Sequence, residues 1–161
     1  MIEEVQSKII SLLQTYIGAK LSFLASPPGG VALTLTTPQK YLLDFDPKHT
    51  VLAAGDYPAC IVMPAKTILS DQLSVGVQIS NEHSLALVML LMDQDIENLQ
   101  RKKSRYSQAV ITVLKEHQQV DPLRRIKINQ VVFDRTLRDE RKSAYLGSVW
   151  ITFSAWERVV L

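Results

Sequence analysis

The sequence predicts an α+β protein in which an antiparallel or mixed β-sheet carries an N-terminal helix and one long helix packed on one face. Helical periodicity is confined to residues 2–17 and 94–118, and the rest of the chain consists of short stretches rich in β-forming residues. Helices and strands are thus partly segregated along the chain and joined by short connections, an order that favours a sheet with helices packed on one face. The 161 residues match the usual size of one domain, so we expect a single domain over residues 1–161.

Composition excludes several classes of protein. Hydrophobic residues make up 47% and charged residues 21% of the chain, which is typical of a folded core and not of disorder. The net charge of +2 is too small for nucleic-acid binding through bulk electrostatics. The longest apolar run, Leu85 to Met92, is far shorter than the roughly 20 residues of a membrane-spanning helix. Acidic residues Glu3 and Glu4 stand where a secretory signal would be basic, so we expect neither secretion by that route nor a membrane partner.

The N-terminal quarter predicts one helix followed by strands. Apolar residues recur at spacings of three and four up to Tyr16, and Gly18 is a plausible helix stop. The turn sequence Pro27-Pro28-Gly29-Gly30 predicts a hairpin between its neighbours. The predicted strands here are residues 21–25, 31–36 and 41–45.

The rest of the chain alternates between strands and one long helix. The nearly continuous apolar run at Ser84–Met92 predicts a central strand buried on both faces. Asp93 is the predicted N-cap of the helix over 94–118. Residues 64–80 show little pattern beyond the alternation of Val75, Val77 and Ile79. The other predicted strands are Ala59–Met63, Ile126–Phe133 and Tyr145–Trp156, and a charged link, Asp134–Ser143, joins the last two.

Residue types that could carry catalysis do not form a recognisable site. His49, His83 and His117 are far apart in sequence, without metal-ligand spacing, and we expect His117 to pack or to cap the long helix. The single cysteine, Cys60, lies in an apolar run and is expected to be a buried thiol of a reducing compartment. A dyad of Cys60 with His83 or His117 stays open as an alternative. We therefore predict no catalytic, cofactor-binding or metal-binding residues.

Two acidic pairs are candidates for catalytic carboxylates. Asp44 with Asp46 flanks a turn, and Asp93 with Asp95 flanks a helix start. Aspartate is expected at such places for local reasons, so both pairs are predicted to have structural roles.

A basic cluster in the long helix is the candidate for a local charged surface. It comprises Arg101, Lys102, Lys103 and Arg105, and Glu97 stands four residues before Arg101. The usual meaning of such a cluster is a solvated helix face. Binding of nucleic acid is the alternative, although no aromatic residues are interleaved as in single-strand binders.

Several segments together resemble the tail-terminator and neck proteins of tailed bacteriophages. These are the apolar strand at Leu85–Met92, the helix that runs through Arg101–Tyr106 to Leu114, the strand ending in Tyr145–Phe153, and the Tyr57-Pro58 pair before an apolar strand. The resemblance implies a structural protein of the virion, assembled in the host cytoplasm, with neither catalysis nor a cofactor. It implies a ring, commonly a hexamer, that caps the tail tube and joins tail to head, next to neck and connector proteins and near packaged DNA.

The charged link is the predicted partner interface. It contains Arg135, Arg138, Asp139, Glu140, Arg141 and Lys142, and it is too long for a two-residue turn and too charged to be buried. We expect it to project from the sheet as a loop, where binding residues tend to lie. A solvated loop without a partner is the alternative for this segment.

The sequence alone leaves other functions open. A neck adaptor or head-completion protein that docks on the portal would show nearly the same order of elements. A small enzyme using Cys60, and a nucleic-acid-binding module using the basic helix segment, are the alternatives from other classes.

Overall fold

The computed structural model describes residues 1–44, 52–69 and 78–160, and at residues 78–80, 159 and 160 it describes the backbone alone. A short 3-10 helix at Ala54–Asp56 precedes the long strands of the sheet. In chain order, the helices and strands are α1 (Ile2–Ala25), β1 (Lys40–Leu42), β2 (Ala59–Ile68), β3 (Gln78–Asp93), α2 (Ile96–Glu116), β4 (Leu123–Phe133), β5 (Leu137–Asp139) and β6 (Ala144–Val160).

The described strands form one mixed sheet with the order β1-β2-β3-β6-β4, and β5 pairs with the start of β6. Only β1 and β2 run parallel among the described pairs. The central strands β3 and β6 are antiparallel from the pair Gln78↔Val160 to the pair Asp93↔Tyr145. The predicted α+β class with a mixed sheet is confirmed, and β3 is central as expected.

Alternation along β3 and β6 separates two faces of this sheet. Leu85, Leu87 and Met89 of β3 join Ile151 and Phe153 of β6 in a buried core with both helices. Because side chains alternate along a strand, the residues between them point to the opposite face. We call that opposite face the helix-free face, since α1 and α2 both belong to the other side.

Helix α1 is longer than predicted. It continues through Gly18 to Ala25, so the predicted strand at 21–25 and its hairpin are wrong. Ile17, Leu21 and Leu24 are buried and extend the apolar stripe at spacings of four and three. Burial of this stripe outweighs the small helix penalty of one glycine.

Residues 31–36 form no strand, which corrects the second prediction in this region. Their backbone is held by the helices: Leu33 N donates to Ala25 O at 2.9 Å, and Tyr106 Oη donates to Thr36 O at 2.6 Å. Alternation in sequence cannot distinguish a strand in a sheet from an extended segment that lies on helices.

Several predicted boundaries also change. Helix α2 begins at Ile96, and its N-cap is Asp95, whose carboxylate accepts a hydrogen bond from Asn98 N at 3.0 Å; Asp93 instead accepts from Asp95 N. Strand β2 extends to Ile68 and β3 begins at Gln78, so part of the unpatterned stretch is strand. Phe45, Asp46, His49, Val75 and Val77 lie outside the described residues. Neither described helix has the length and apolarity that a membrane span requires.

A polar network is buried at one end of the helix-covered face. His83 Nε2 lies 2.8 Å from Glu157 Oε2, and His83 Nδ1 lies 2.9 Å from Thr67 Oγ1. The N-terminal amino group of Met1 also donates to Glu157. Burial alone would raise the pKa of the Glu157 carboxyl, but the hydrogen bonds from the amino group and from His83 hold this pKa below its usual range. The network therefore stabilises the folded state with Glu157 ionised.

We expect Glu157→Gln to lower the free energy of unfolding at pH 7 by about 1–3 kcal/mol, because His83 loses a charged partner in a buried site. A carboxyl with a lowered pKa stabilises the fold above its unfolded pKa of about 4.3, and this stabilisation is lost as the pH falls through the folded pKa. Urea unfolding should show that the free energy of unfolding falls less between pH 7 and pH 3 in the variant than in the parent. Glu82→Gln is the control, because Glu82 stands next to His83 in β3. If the free energy of unfolding falls equally between pH 7 and pH 3 in the parent and in Glu157→Gln, ionised Glu157 does not stabilise the fold.

Candidate partner interface

The predicted charged link folds as a β-hairpin and is not a simple loop. Strand β5 pairs with the start of β6, from Leu137↔Leu146 to Asp139↔Ala144. The turn between them is closed by Ser143, whose φ of 49° is in the left-handed region, and by Lys142 N donating to Asp139 Oδ1 at 3.1 Å. Residues 134–146 are called the charged hairpin below.

Most charges of the hairpin are paired within it. Lys142 Nζ lies 3.0 Å from Asp139 Oδ2, and its hydrogen bonds hold the pKa of the Asp139 carboxyl below its usual range. Arg138 Nε lies 3.5 Å from Glu140, and its guanidinium stands 4.8 Å from the centre of the Tyr145 ring. Four of the six predicted interface residues therefore contact one another.

Two arginines of the hairpin differ from its paired charged residues in having no ion-pair partner among the described residues. Arg135 and Arg141 are exposed, and neither forms an ion pair within the described part of the chain. Their guanidinium groups are available to a carboxylate from outside.

The root of the hairpin is fixed by a buried lysine. Lys103 of α2 is only 2% exposed, and its Nζ donates to Asp134 O at 2.8 Å and to Thr136 Oγ1 at 3.0 Å. Burial lowers the pKa of Lys103, while the nearby Asp134 carboxylate acts in the opposite direction. The lysine reaches these acceptors beside Gly147, where an added Cβ would lie 2.4 Å from Lys103 Cε. Glycine at position 147 thus leaves the space that Lys103 occupies.

Lys103 is buried and does not belong to the possible basic surface, whereas the other three members of the basic cluster are partly exposed and have partners within the chain. Lys102 Nζ lies 2.7 Å from Asp93 Oδ2, and Arg101 contacts Glu97 and donates to Asn98. Arg105 donates to the backbone carbonyls of residues 25 and 31. Long basic side chains can lie along apolar surface and end on internal acceptors, which residue type alone does not reveal.

A pocket of about 370 Å³ opens beside the hairpin on the helix-free face. It lies between the hairpin and the segment that contains the 3-10 helix. Burial raises the pKa of Tyr57, and the Lys142 ammonium acts against this shift. The lining residues are Leu52, Tyr57, Leu90, Asp134, Arg135, Leu137, Lys142, Leu146, Gly147 and Ser148. We call this site the hairpin pocket.

An exposed tryptophan continues the pocket across the sheet. Trp150 is 37% exposed, and its Nε1 donates to Ser148 Oγ at 3.2 Å. The Ser148 hydroxyl in turn lies 3.3 Å from Asp134 Oδ2. Val132, opposite Trp150 in the register, is 41% exposed. Apolar surface therefore extends from the pocket over two strands of the helix-free face.

The apolar part of the candidate interface was not among the residues predicted from the sequence. The alternation of residues 145–156 does place Trp150 on the face opposite Phe153. Which of the two faces carries helices depends on the packing of α1 and α2, and this information is not contained in the alternation.

Cys60 and His117, two residues whose chemistry could serve catalysis, have structural roles in the described part of the chain. Cys60 is fully buried, and burial raises the pKa of its thiol to about 12. It stands opposite Met89, six residues from His83 along β3, or about 20 Å at the usual strand rise, which is too far for a dyad. His117 is the C-cap of α2, as predicted, and stacks on Tyr16 with ring centroids 3.8 Å apart. The described residues contain no group of three or more side chains that could hold a metal ion.

Comparisons with known proteins give only a coarse likeness. No protein-family model matches the chain, and no curated protein matches it. The chain is similar to one chain of a solved structure described as "Virion of native gene transfer agent (GTA) particle". The identity is 15%, the match covers 94% of this chain and 98% of that chain, and the TM-score is 0.38.

We expect Gly147→Ala and Lys103→Met each to lower the free energy of unfolding by about 1–2 kcal/mol, because each removes the hydrogen bonds that Lys103 makes to the hairpin root. Hydrogen exchange at Asp134 N, which donates to Ser148 O at 3.0 Å, should become faster in both variants. Gly55→Ala is the matched control, since an added Cβ at Gly55 meets no atom within 4 Å. Unchanged exchange in both variants would show that Lys103 does not position the hairpin.

Cys60 should resist thiol reagents in the folded protein, because a buried thiol with a raised pKa supplies almost no thiolate. Absorbance after addition of Ellman's reagent should show reaction only at the rate of unfolding, and full reaction in denaturant. Rapid reaction in native buffer would contradict the structural role of Cys60.

Proposed function

We propose that this chain is a structural subunit of a phage-type virion, without catalysis or cofactor, that forms a ring at the end of the tail. In this proposal the ring is a hexamer that caps the tail tube and joins tail to head, and the charged hairpin contacts the neighbouring protein. The observation that carries the proposal is the combination of an exposed apolar sheet face with a charged hairpin that leaves two arginines unpaired. The resemblance of the sequence to tail-terminator and neck proteins supplies the location in the virion.

The residue types around the hairpin pocket favour a protein partner. Tryptophan, tyrosine and arginine are enriched among the residues that dominate binding energy at interfaces. Tyr57 and Arg135 line the pocket, and Trp150 adjoins it. An apolar centre with charges at its rim has the layout of an interface between proteins.

In a ring, contacts that are weak in one subunit can together hold two assemblies, because every subunit repeats them. An exposed ion pair contributes about 0–1 kcal/mol by itself. In a ring with head-to-tail contacts the same pair recurs in every subunit, and a ring that docks on another assembly engages through all copies at once. The hairpin need not bind tightly in one subunit to hold two assemblies together.

The proposal is tested by imaging the purified protein and by reversing the two unpaired charges. Negative-stain images should show closed rings, either of the protein alone or after addition to isolated tail tubes. A subunit that stays monomeric at high concentration and on tail tubes would contradict the proposal.

The double variant Arg135→Glu with Arg141→Glu should stay folded but fail to join heads to tails, because both guanidinium groups that a partner carboxylate could contact are replaced by carboxylates. We expect at least a tenfold loss of joined particles in an in vitro assembly assay, equivalent to about 1.4 kcal/mol. Lys115→Glu with Lys127→Glu is the control, since it changes the net charge equally at exposed sites outside the hairpin. Equal joining by both double variants would make the hairpin a solvated structure without an interface role.

A further inference from the structure

We infer that the hairpin pocket binds a peptide segment in which a large apolar side chain stands next to carboxylates. This inference rests on the proposed function only in taking the charged hairpin as the partner surface, and it names the chemistry of the partner. Three observations on the described residues lead to it: the lining of the pocket, the charge pairing of the hairpin, and the open edge of β5.

The lining of the pocket fits an apolar side chain. Leu52, Leu90, Leu137 and Leu146 form much of it, together with the ring of Tyr57. Leu137 is 63% exposed, so water covers a large apolar surface at the mouth of the pocket. The volume of about 370 Å³ falls within the range of about 300–1,000 Å³ that is typical of binding sites. An apolar side chain that enters would remove this surface from water.

Charge pairing determines what should flank that side chain. Two of the three carboxylates of the hairpin already have a cation: Asp139 has Lys142, and Glu140 has Arg138. Arg135 and Arg141 are the cations left over. Arg135 is exposed and lines the pocket, and its planar guanidinium can hold a carboxylate through two parallel hydrogen bonds. A basic segment would find one carboxylate without an ion pair in the described hairpin, that of Asp134, which already accepts hydrogen bonds from Arg135 N and Ser148 Oγ.

The open edge of β5 favours an extended peptide over a compact ligand. Strand β5 pairs with β6 on one side, and on its other side it pairs with no described strand. Its free backbone N–H and C=O groups can bond to an added segment, as in strand addition. Leu137 belongs to β5 and lines the pocket, so one segment can contact the edge and the pocket together.

Three synthetic peptides test this inference on the full-length chain. The first carries Leu-Phe-Glu-Glu between glycines, the second replaces both glutamates by lysines, and the third replaces Leu-Phe by Ser-Ser. Trp150 reports binding through its fluorescence in a Trp156→Phe background, because these are the two tryptophans of the chain. We expect the first peptide to bind at least about tenfold more tightly than either of the others, a difference of about 1.4 kcal/mol.

Variants of the chain separate the two parts of the recognition. Arg135→Glu should weaken binding of the first peptide at least about tenfold, and added salt should no longer weaken this binding as it does in the parent, because a carboxylate now faces the carboxylates of the peptide. Leu137→Ser should weaken binding of the first peptide by a similar factor, and this binding should keep the salt dependence that it has in the parent. Lys127→Glu is the control, because Lys127 is exposed and stands opposite Ser154, six residues along β6 from Ser148. Circular dichroism verifies that each variant is folded.

The outcomes decide this inference separately from the proposed function. Equal affinity for the three peptides, no binding up to about 5 mM, or equal effects of Arg135→Glu and Lys127→Glu would overturn the inference, even if rings form. A preference for the first peptide that depends on Arg135 and Leu137 would support it, even if the protein stays monomeric and does not bind tail tubes. In that second case the proposed virion function is wrong, while the pocket retains its assigned chemistry.

Discussion

The antiparallel pairing of β3 with β6 is the constraint on which the rest of the structure depends. The register places Leu87 opposite Ile151 and Val88 opposite Trp150, so consecutive pairs point to opposite faces. One face collects the apolar residues that bury α1 and α2, and the other face carries neither of these two described helices. A slip by one residue would exchange these faces. The same pairing thus makes the core and also determines where the apolar surface of the candidate interface lies.

The charged hairpin contacts the helix layer through a buried cation, Lys103. Lys103 belongs to the helix layer, yet its ammonium ends on the backbone and side chain of the hairpin root. Such a group is costly to bury, and hydrogen bonds to two oxygens offset that cost only while the hairpin holds its position. Gly147 permits the arrangement because it lacks a Cβ. The hairpin therefore has a fixed origin, although its tip is exposed.

Sequence reasoning predicted the parts of the fold that depend on strong periodicity. The central strand, the long helix and the two final strands follow from alternation or from helical spacing. The second half of α1 does not follow from the local pattern, because Gly18 is a typical helix stop and the apolar stripe continues beyond it only at Leu21 and Leu24. Burial of Lys103 could not be predicted, because its acceptors lie more than thirty residues away and meet it only after the sheet has formed. Local patterns specify elements, whereas contacts distant in sequence specify the site.

The charges and the apolar face of the candidate interface have different physical roles. Pairs such as Asp139 with Lys142 shape the hairpin and are already satisfied, so they contribute little to a partner. The unpaired Arg135 and Arg141 can discriminate between acidic and basic partners, because a like charge placed opposite them is repelled. Trp150 and the leucines of the pocket supply area that any apolar side chain could cover, which gives affinity with little discrimination. Selective binding of a partner at this candidate interface would require both parts on the same surface, and the contacts of Lys103 fix the hairpin root that joins them.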